Sequence, residues 1–386
     1  MVLFANTDWY LFNFRLALAE RLRSEGVEVL MLSPPGEYGE RLRAAGFRWE
    51  PVPMERRSLN PFRELLLIGH LVRRFRRERP QIVHAFTVKC AVYGSIAARL
   101  ASVRGRVSAV TGLGYVFTND GARALWLRPV VRGLLRMGLG GGESLLILQN
   151  PDDVSRFRDA RVVDPERIRL IPSSGVNCER YRPTPDAQRP QGPFRVLFVG
   201  RLLWEKGVGE YVEAARILRD EGRPVTFVLA GRPDPGNPGS VPRATVEEWA
   251  REGLIEWLGH VEDMAALLHT VHALALPSYY GEGVPRSLIE GAASGVPLVT
   301  TDMPGCREVV THEREGLLVP SRDARALARA LARLVDDPGL ARKLGQSGRA
   351  KAVREFDERV VLDRTLAAYR ELVPGLGNGA PRILTD

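Results

Sequence analysis

Two glutamates eight residues apart, Glu282 and Glu290, and two cations five residues apart, Arg201 and Lys206, are the side chains whose types and spacing could do chemistry on a charged ligand. The glutamates stand in the segment Pro277-Ser278-Tyr279-Tyr280-Gly281-Glu282-Gly283-Val284-Pro285-Arg286-Ser287-Leu288-Ile289-Glu290. A glycine-bearing turn leads into an apolar, helix-like run that Gly295 and Pro297 stop. Backbone N–H groups at such a helix start are free, and the helix dipole favours an anion there. Glu282 would stand at the mouth of that loop and Glu290 about two turns along the helix. Acidic residues near a helix start are common on dipole grounds alone, so the pair by itself decides nothing.

The cations supply the second half. Residues 196–207 read Val-Leu-Phe-Val-Gly200-Arg201-Leu-Leu-Trp204-Glu205-Lys206-Gly207, a buried strand and a glycine turn, with a helix expected from Val208 to Leu218. Cations at the C-terminal end of a parallel strand point into the crevice where α/β sheets bind ligands. Arginine offers a planar fork to phosphate oxygens and lysine a point charge. Such a pair beside free helix N–H groups suits the oxygens of a phosphate-bearing ligand.

The elements that must position these groups alternate. In the first half, Val2 to Ala5 reads as a strand, Phe12 to Ser24 as a helix, Val27 to Leu32 as a strand, Tyr38 to Ala45 as a helix and Ile82 to Ala85 as a strand. A second series begins at Arg195 to Val199 and continues through 225–231, 273–277 and 298–300. Such alternation predicts βαβ units and parallel sheets. The Pro-rich polar stretch from Arg182 to Pro193 reads as a linker. The expected organisation is an N-terminal domain over 1–182, a linker over 183–193, a second domain over 194–356, and a final helix with a tail over 357–386.

Taken as a set, Gly200-Arg201 with Lys206-Gly207, and Glu282-Gly283 with Glu290, resemble the retaining family 4 glycosyltransferases of the GT-B fold. Asn150-Pro151-Asp152-Asp153 and Ser173-Ser174-Gly175-Val176-Asn177 also match family positions. Asn6-Thr7-Asp8-Trp9-Tyr10, Thr111-Gly112-Leu113-Gly114-Tyr115 and Ser278-Tyr279-Tyr280-Gly281-Glu282 look like the bacterial branch that extends polyprenol-diphosphate-linked sugars. The resemblance implies an α/β, GT-B fold of two Rossmann-like doubly wound parallel-sheet domains facing each other across a cleft. It implies that Arg201 and Lys206 hold the donor diphosphate, that Glu282 contacts the donor sugar and that Glu290 contacts the ribose. Gly200, Gly283, Val284, Arg286 and Ser287 complete the expected donor site. The expected partners are a nucleotide sugar, most simply UDP-linked, and a polyprenol-diphosphate-linked sugar, with no metal or other cofactor. The last helix is expected to cross back to the N-terminal lobe. Alternatives are a GT-B sugar-nucleotide epimerase or, in another class, a two-lobed solute-binding protein.

On the acceptor side the candidates are His84, at a strand end, with Thr87 and Lys89 just beyond it, and Gly112 and Gly114, whose backbone can approach a ligand closely. The cleft histidine that many family members carry in the place of residues 111–114 is absent here.

Charge and composition bound the rest. The chain of 386 residues has 55 Lys and Arg against 46 Asp and Glu, a net charge of +9, which favours anionic partners. No recognition helix or aromatic platform accompanies the charge, so nucleic acid is not an expected partner. The three cysteines, Cys90, Cys178 and Cys306, are far apart and are expected to be reduced thiols. No secretion signal is expected, and the best apolar run, Leu65 to Val72, is broken by Gly69 and His70. The expectation is a cytoplasmic protein, peripheral on the inner membrane face. The membrane-facing candidates are Arg128, Arg132 and Arg136 with Trp126, and Trp9, Tyr10, Phe12 and Phe14 near the first turn.

Overall fold

Short apolar runs form two all-parallel sheets. The computed structural model describes residues 1–55, 58, 60–110, 133–184, 191–281 and 283–377. It divides into a unit of Met1–Ser174 with residues from Val361 onward, and a unit of Gly175–Val360.

In the first unit, strands β1 (Val2–Phe4), β2 (Leu30–Ser33), β3 (Arg48–Pro51), β4 (Ile82–Phe86), β5 (Gly105–Ala109), β6 (Ser144–Leu148) and β7 (Ile168–Leu170) lie in the order β3-β2-β1-β4-β5-β6-β7. Val2 pairs with Leu30 on one side and Val83 on the other. Strands covered on both faces read as continuous apolar runs, and alternate residues choose opposite faces. Leu3, Ile82 and Phe86 share one buried cluster with Leu11, Leu18 and Leu22 of the Asp8–Ser24 helix. Val2, Phe4, Val83 and Ala85 share another with Leu67, Leu71 and Phe75 of the Pro61–Glu78 helix. The final helix, Glu358–Leu372, contributes Val361, Leu366 and Tyr369 to the first cluster, so its packing lies with the N-terminal unit.

The second unit repeats the plan. Strands β8 (Phe194–Val199), β9 (Val225–Ala230), β10 (Glu256–Gly259), β11 (Ala273–Leu276), β12 (Leu298–Thr301) and β13 (Gly316–Val319) run in the order β10-β9-β8-β11-β12-β13. The boundary differs from the expected one. Val176, Cys178 and Tyr181 are buried in the second unit's core, so the chain joins that unit at Gly175 rather than after Arg182. Val176 also forms a parallel bridge with Asp357. Residues 185–190 of the expected linker lie outside the described residues.

Both sheets reverse direction of growth at their first strand: between β1 and β4 in one, between β8 and β11 in the other. In doubly wound sheets the loops leaving the C-terminal ends of those two strands diverge and leave the ligand crevice. Arg201 and Lys206 follow β8, and the segment leading to Glu290 follows β11.

Candidate active site

The two segments singled out from the sequence are stitched together. Gly207 caps the Val208–Asp220 helix with φ 79°. A Cβ built on Gly207 would lie 2.2 Å from the carbonyl oxygen of Pro277, so only glycine lets the β8 loop close on the β11 loop. The Tyr279 amide donates to the Glu205 carbonyl at 2.9 Å, and the Ser278 hydroxyl donates to the same oxygen at 3.4 Å. Lys206 Nζ sits 5.8 Å from the centroid of the Tyr280 ring. The cation is thereby placed above the loop that leads to the glutamates.

Arg201 is exposed and pairs through Nη1 with Asp234 Oδ2 at 3.0 Å. Asp234 stands on the loop after β9, where its amide is bound by the Ser240 hydroxyl at 2.9 Å. That loop passes close to the β8 end: a Cβ on Gly231 would meet the Gly200 carbonyl oxygen at 1.9 Å. Gly200 itself donates to the Ala230 carbonyl at 3.1 Å. Asp234 therefore holds the guanidinium at the mouth of the loop, in water, where an ion pair is weak and exchangeable.

Glu290 is 8% exposed, on the inner side of the Arg286–Ala293 helix. Its Oε1 accepts from the Tyr181 hydroxyl at 3.0 Å and from Arg286 Nε at 2.8 Å. Arg286 also donates to the Gly175 carbonyl at 3.3 Å. The phenol of Tyr181 is pushed far up by burial and then by the Glu290 charge, so it remains a donor. Both bonds engage one oxygen of a buried carboxylate, which fixes its plane and directs Oε2 elsewhere. Gly283 and Val284 are buried, and Arg286 and Ser287 are half-buried at the start of the helix, whose cap position Pro285 makes no side-chain capping bond. Glu282 lies outside the described residues.

Sequence reading missed Tyr181 and Asp234. Tyr181 is 109 positions from Glu290, and the signal present, an aromatic next to the Pro-rich stretch, pointed to a linker. Asp234 follows Gly231-Arg232-Pro233 directly after a strand, a carboxylate at a sheet's C-terminal edge, which was a usable sign.

In the first unit the candidates separate. His84 is not at a strand end: it is central in β4, 1% exposed, with Nδ1 2.5 Å from the Tyr369 hydroxyl. It shares the face of Ile82 and Phe86, and that face is covered by the first and last helices. Burial, and then the charge of Arg15, hold its pKa well below the ordinary histidine value. The structure thus places it among core side chains rather than at an open strand end. Lys89 also departs from expectation. Its ammonium donates to the Glu55 carbonyl at 2.7 Å, to the Ser58 carbonyl at 3.0 Å and to Glu64 Oε1 at 2.8 Å. An ammonium has three N–H donors, and all three are used, on Glu55, Ser58 and Glu64. Thr87 precedes the Val88–Leu100 helix with φ 71°, a conformation rare for a β-branched residue, and its amide donates to the Ala109 carbonyl at 3.0 Å. Gly112, Gly114, Trp126, Arg128 and Arg132 lie outside the described residues. Arg136, the last of that arginine row, donates through Nε to the Arg161 carbonyl at 2.8 Å.

Two other matched positions have structural partners. Asn150 caps the Pro151–Asp159 helix by accepting from the Asp153 amide at 2.8 Å. Asp8 Oδ2 accepts from the Tyr38 and Gly39 amides at 2.8 and 2.9 Å, bracing the turn after β2.

Comparison with known proteins agrees with this architecture. A glycosyl transferase 4-like family model matches residues 1–141, and a "Glycosyl transferases group 1" model matches residues 193–337. The chain belongs to the glycosyltransferases, and its fold is of the GT-B class. It is 26% identical, over 94% of its length and 96% of the relative's, to the N,N'-diacetylbacillosaminyl-diphospho-undecaprenol alpha-1,3-N-acetylgalactosaminyltransferase of Campylobacter jejuni. It is also 26% identical to the UDP-Gal:alpha-D-GlcNAc-diphosphoundecaprenol alpha-1,3-galactosyltransferase of Escherichia coli, over 83% of each chain. Among solved structures, Anabaena Alr3699/HepE in complex with UDP superposes with a TM-score of 0.77 at 19% identity, covering 96% of this chain and 99% of that one.

Proposed function

We propose that this glycosyltransferase moves a hexose or N-acetylhexosamine from a UDP-linked donor to a polyprenol-diphosphate-linked sugar, with retention at the anomeric carbon, at the cytoplasmic membrane face. The observation that carries the reading is the meeting of the Arg201–Lys206 loop with the Pro277–Tyr280 segment that leads to the Glu290 helix, at the β8/β11 switch point. In this reading Arg201 and Lys206 receive the diphosphate charge that develops as the anomeric bond breaks, and the amides around Gly283 to Ser287 add to that stabilisation. Glu290, its plane set by Tyr181 and Arg286, receives ribose hydroxyls through its remaining oxygen. Glu282 orients the donor sugar. Leaving-group departure and acceptor attack take place on one face of the sugar. Two cations meet the diphosphate charge, so added divalent metal is not required. The acceptor assignment draws on the relatives named above, whose names specify diphospho-undecaprenol-linked sugars.

The test is transfer of radiolabelled sugar from UDP-, GDP- and ADP-sugars to a synthetic polyprenol-diphosphate N-acetylhexosamine in excess EDTA. UDP-dependent formation of an α-linked product supports the reading. Strict metal dependence, a β-linked product, or turnover only with another nucleotide would each refute the corresponding part.

A further inference from the structure

The Pro61–Glu78 helix presents an unusual outer face. Phe62, Leu65 and Leu66 are 77%, 65% and 68% exposed, three large apolar side chains within two turns. At 100° per residue they fall on one stripe with Arg73, Arg76 and Arg77, all exposed and two to four turns further along. The opposite side of the helix is buried through Glu64, Leu67, Leu71 and Phe75. The helix thus has one apolar seam facing the core and a second facing outward. The acidic residues of the helix lie off the stripe: Glu64 is bound by Lys89, and Glu78 by Arg48, with the stripe's own Arg77 touching Glu78 only through a long, exposed contact at 3.4 Å.

Basic residues near a helix C-terminus are favoured by the dipole, which accounts for Arg76 and Arg77. It does not account for leaving a phenylalanine and two leucines in water two turns upstream. Monomeric proteins seldom keep such a group uncovered without a use. An apolar end and a cationic end on one helix face match a bilayer interface, where acyl chains take the first and anionic headgroups the second. Lys89, by fixing the Glu55 and Ser58 carbonyls and Glu64, holds the start of the helix and so keeps the apolar end presented.

We propose that the outward face of the Pro61–Glu78 helix is a membrane-docking surface that lies flat on an anionic bilayer, with Phe62, Leu65 and Leu66 inserted and Arg73, Arg76 and Arg77 on the headgroups. This rests on the proposed lipid-linked acceptor and gives the bilayer contact a location other than residues 123–136. The helix spans enough length, at about 1.5 Å per residue, for both ends to touch the surface together.

The experiment is co-sedimentation of the full chain with vesicles of phosphatidylglycerol and phosphatidylethanolamine, and with phosphatidylcholine alone. The parent is expected to bind the anionic vesicles, and to release as salt rises. Phe62→Ser with Leu65→Ser and Leu66→Ser should weaken partitioning about tenfold or more, since insertion energy scales with buried apolar area. Arg73→Gln with Arg76→Gln and Arg77→Gln should weaken binding to anionic vesicles and flatten its salt dependence. Thermal melts of both variants confirm folding, and transfer to a water-soluble sugar-diphosphate acceptor should match the parent. Unchanged sedimentation of the serine variant overturns the proposal, as does a parent that self-associates through this face while the serine variant is monomeric. Vesicle binding lost in the variant from a parent that transfers no sugar would leave the docking surface standing and refute the proposed reaction instead.

Discussion

The hydroxyl of Tyr181 donates to Glu290 Oε1 at 3.0 Å, joining the first segment of the second unit to its candidate nucleotide carboxylate. Both groups are buried, and Arg286 shares the same oxygen. Tyr181→Phe removes one of two bonds that set the carboxylate plane. A hydrogen bond to a charged group is worth about 1.5–3 kcal/mol, so the variant should unfold at lower temperature and bind free UDP several-fold more weakly. Glu290→Gln should weaken UDP further, whereas Glu282→Gln should spare UDP affinity and depress transfer. Calorimetry with bare UDP separates the three; equal losses in both glutamate variants would contradict the assigned split.

Arg201→Ala and Lys206→Ala should each cut turnover by roughly two orders of magnitude, the usual result of removing one donor aimed at developing charge, about 3 kcal/mol. Arg201 is exposed and its Asp234 partner keeps access to water, so the melting temperature should hardly move. Asp234→Asn should keep most activity if the ion pair only parks the guanidinium. Steady-state kinetics beside thermal melts check all three, and near-normal turnover in the two alanine variants would remove these residues from the site.

Gly207→Ala should fail differently. Its φ of 79° is unfavourable for a residue with a Cβ, and that atom would press on the Pro277 carbonyl at 2.2 Å. The left-handed conformation alone costs about 1–2 kcal/mol, and the loops must also part. Stability and transfer should fall together; a variant with the parent's melting temperature would show that the loop contact is dispensable.

The residues that made the fold legible are those whose pattern is local. The β8 strand, the Gly200 turn and the following helix could be read because apolar periodicity and glycine stand side by side in the chain. The Asp8–Ser24 helix begins four residues before its expected start at Phe12, because Thr7 caps it by accepting from the Tyr10 amide. Strands β3, β5, β6 and β7 were not read: they are three to five residues long and carry polar members such as Arg48, Arg106 and Ser144. The stitched contact of Gly207 with Pro277 and the orienting bond from Tyr181 join residues far apart in sequence, where no spacing rule applies. His84 and Lys89 were misplaced for the same reason, since their partners Tyr369 and Glu55, Ser58 and Glu64 lie on other elements.

Lys89→Met tests the reassignment of that lysine from ligand contact to tether. The change strands the Glu64 carboxylate, which is nearly buried, and frees two carbonyls. Loss of one partner from a partly buried pair should cost about 2 kcal/mol, read as a lower melting temperature. The Michaelis constant for a water-soluble acceptor should stay near the parent's. An unchanged melting temperature with a many-fold rise in that constant would return Lys89 to the acceptor site.

His84 gives the fold a pH dependence whose sign follows from its burial. Its pKa in the folded state lies well below the ordinary value, first because it is buried and then because Arg15 is near. In the unfolded chain it titrates at about 6.5. Above that pH neither state is protonated there and the residue adds no slope. Below it the unfolded chain takes up a proton that the folded chain refuses, so stability falls with acidification by up to about 1.4 kcal/mol per pH unit. His84→Gln removes the titration and keeps a side chain able to bond the Tyr369 hydroxyl. Urea unfolding at pH 7.5, 6.5, 5.5 and 5.0 should show the stability difference between parent and variant moving steadily in the variant's favour below about pH 6.5, while the other titrating groups cancel in the comparison. A difference that stays constant across that range would mean that His84 takes up its proton inside the fold, with Nε2 reaching an acceptor or water.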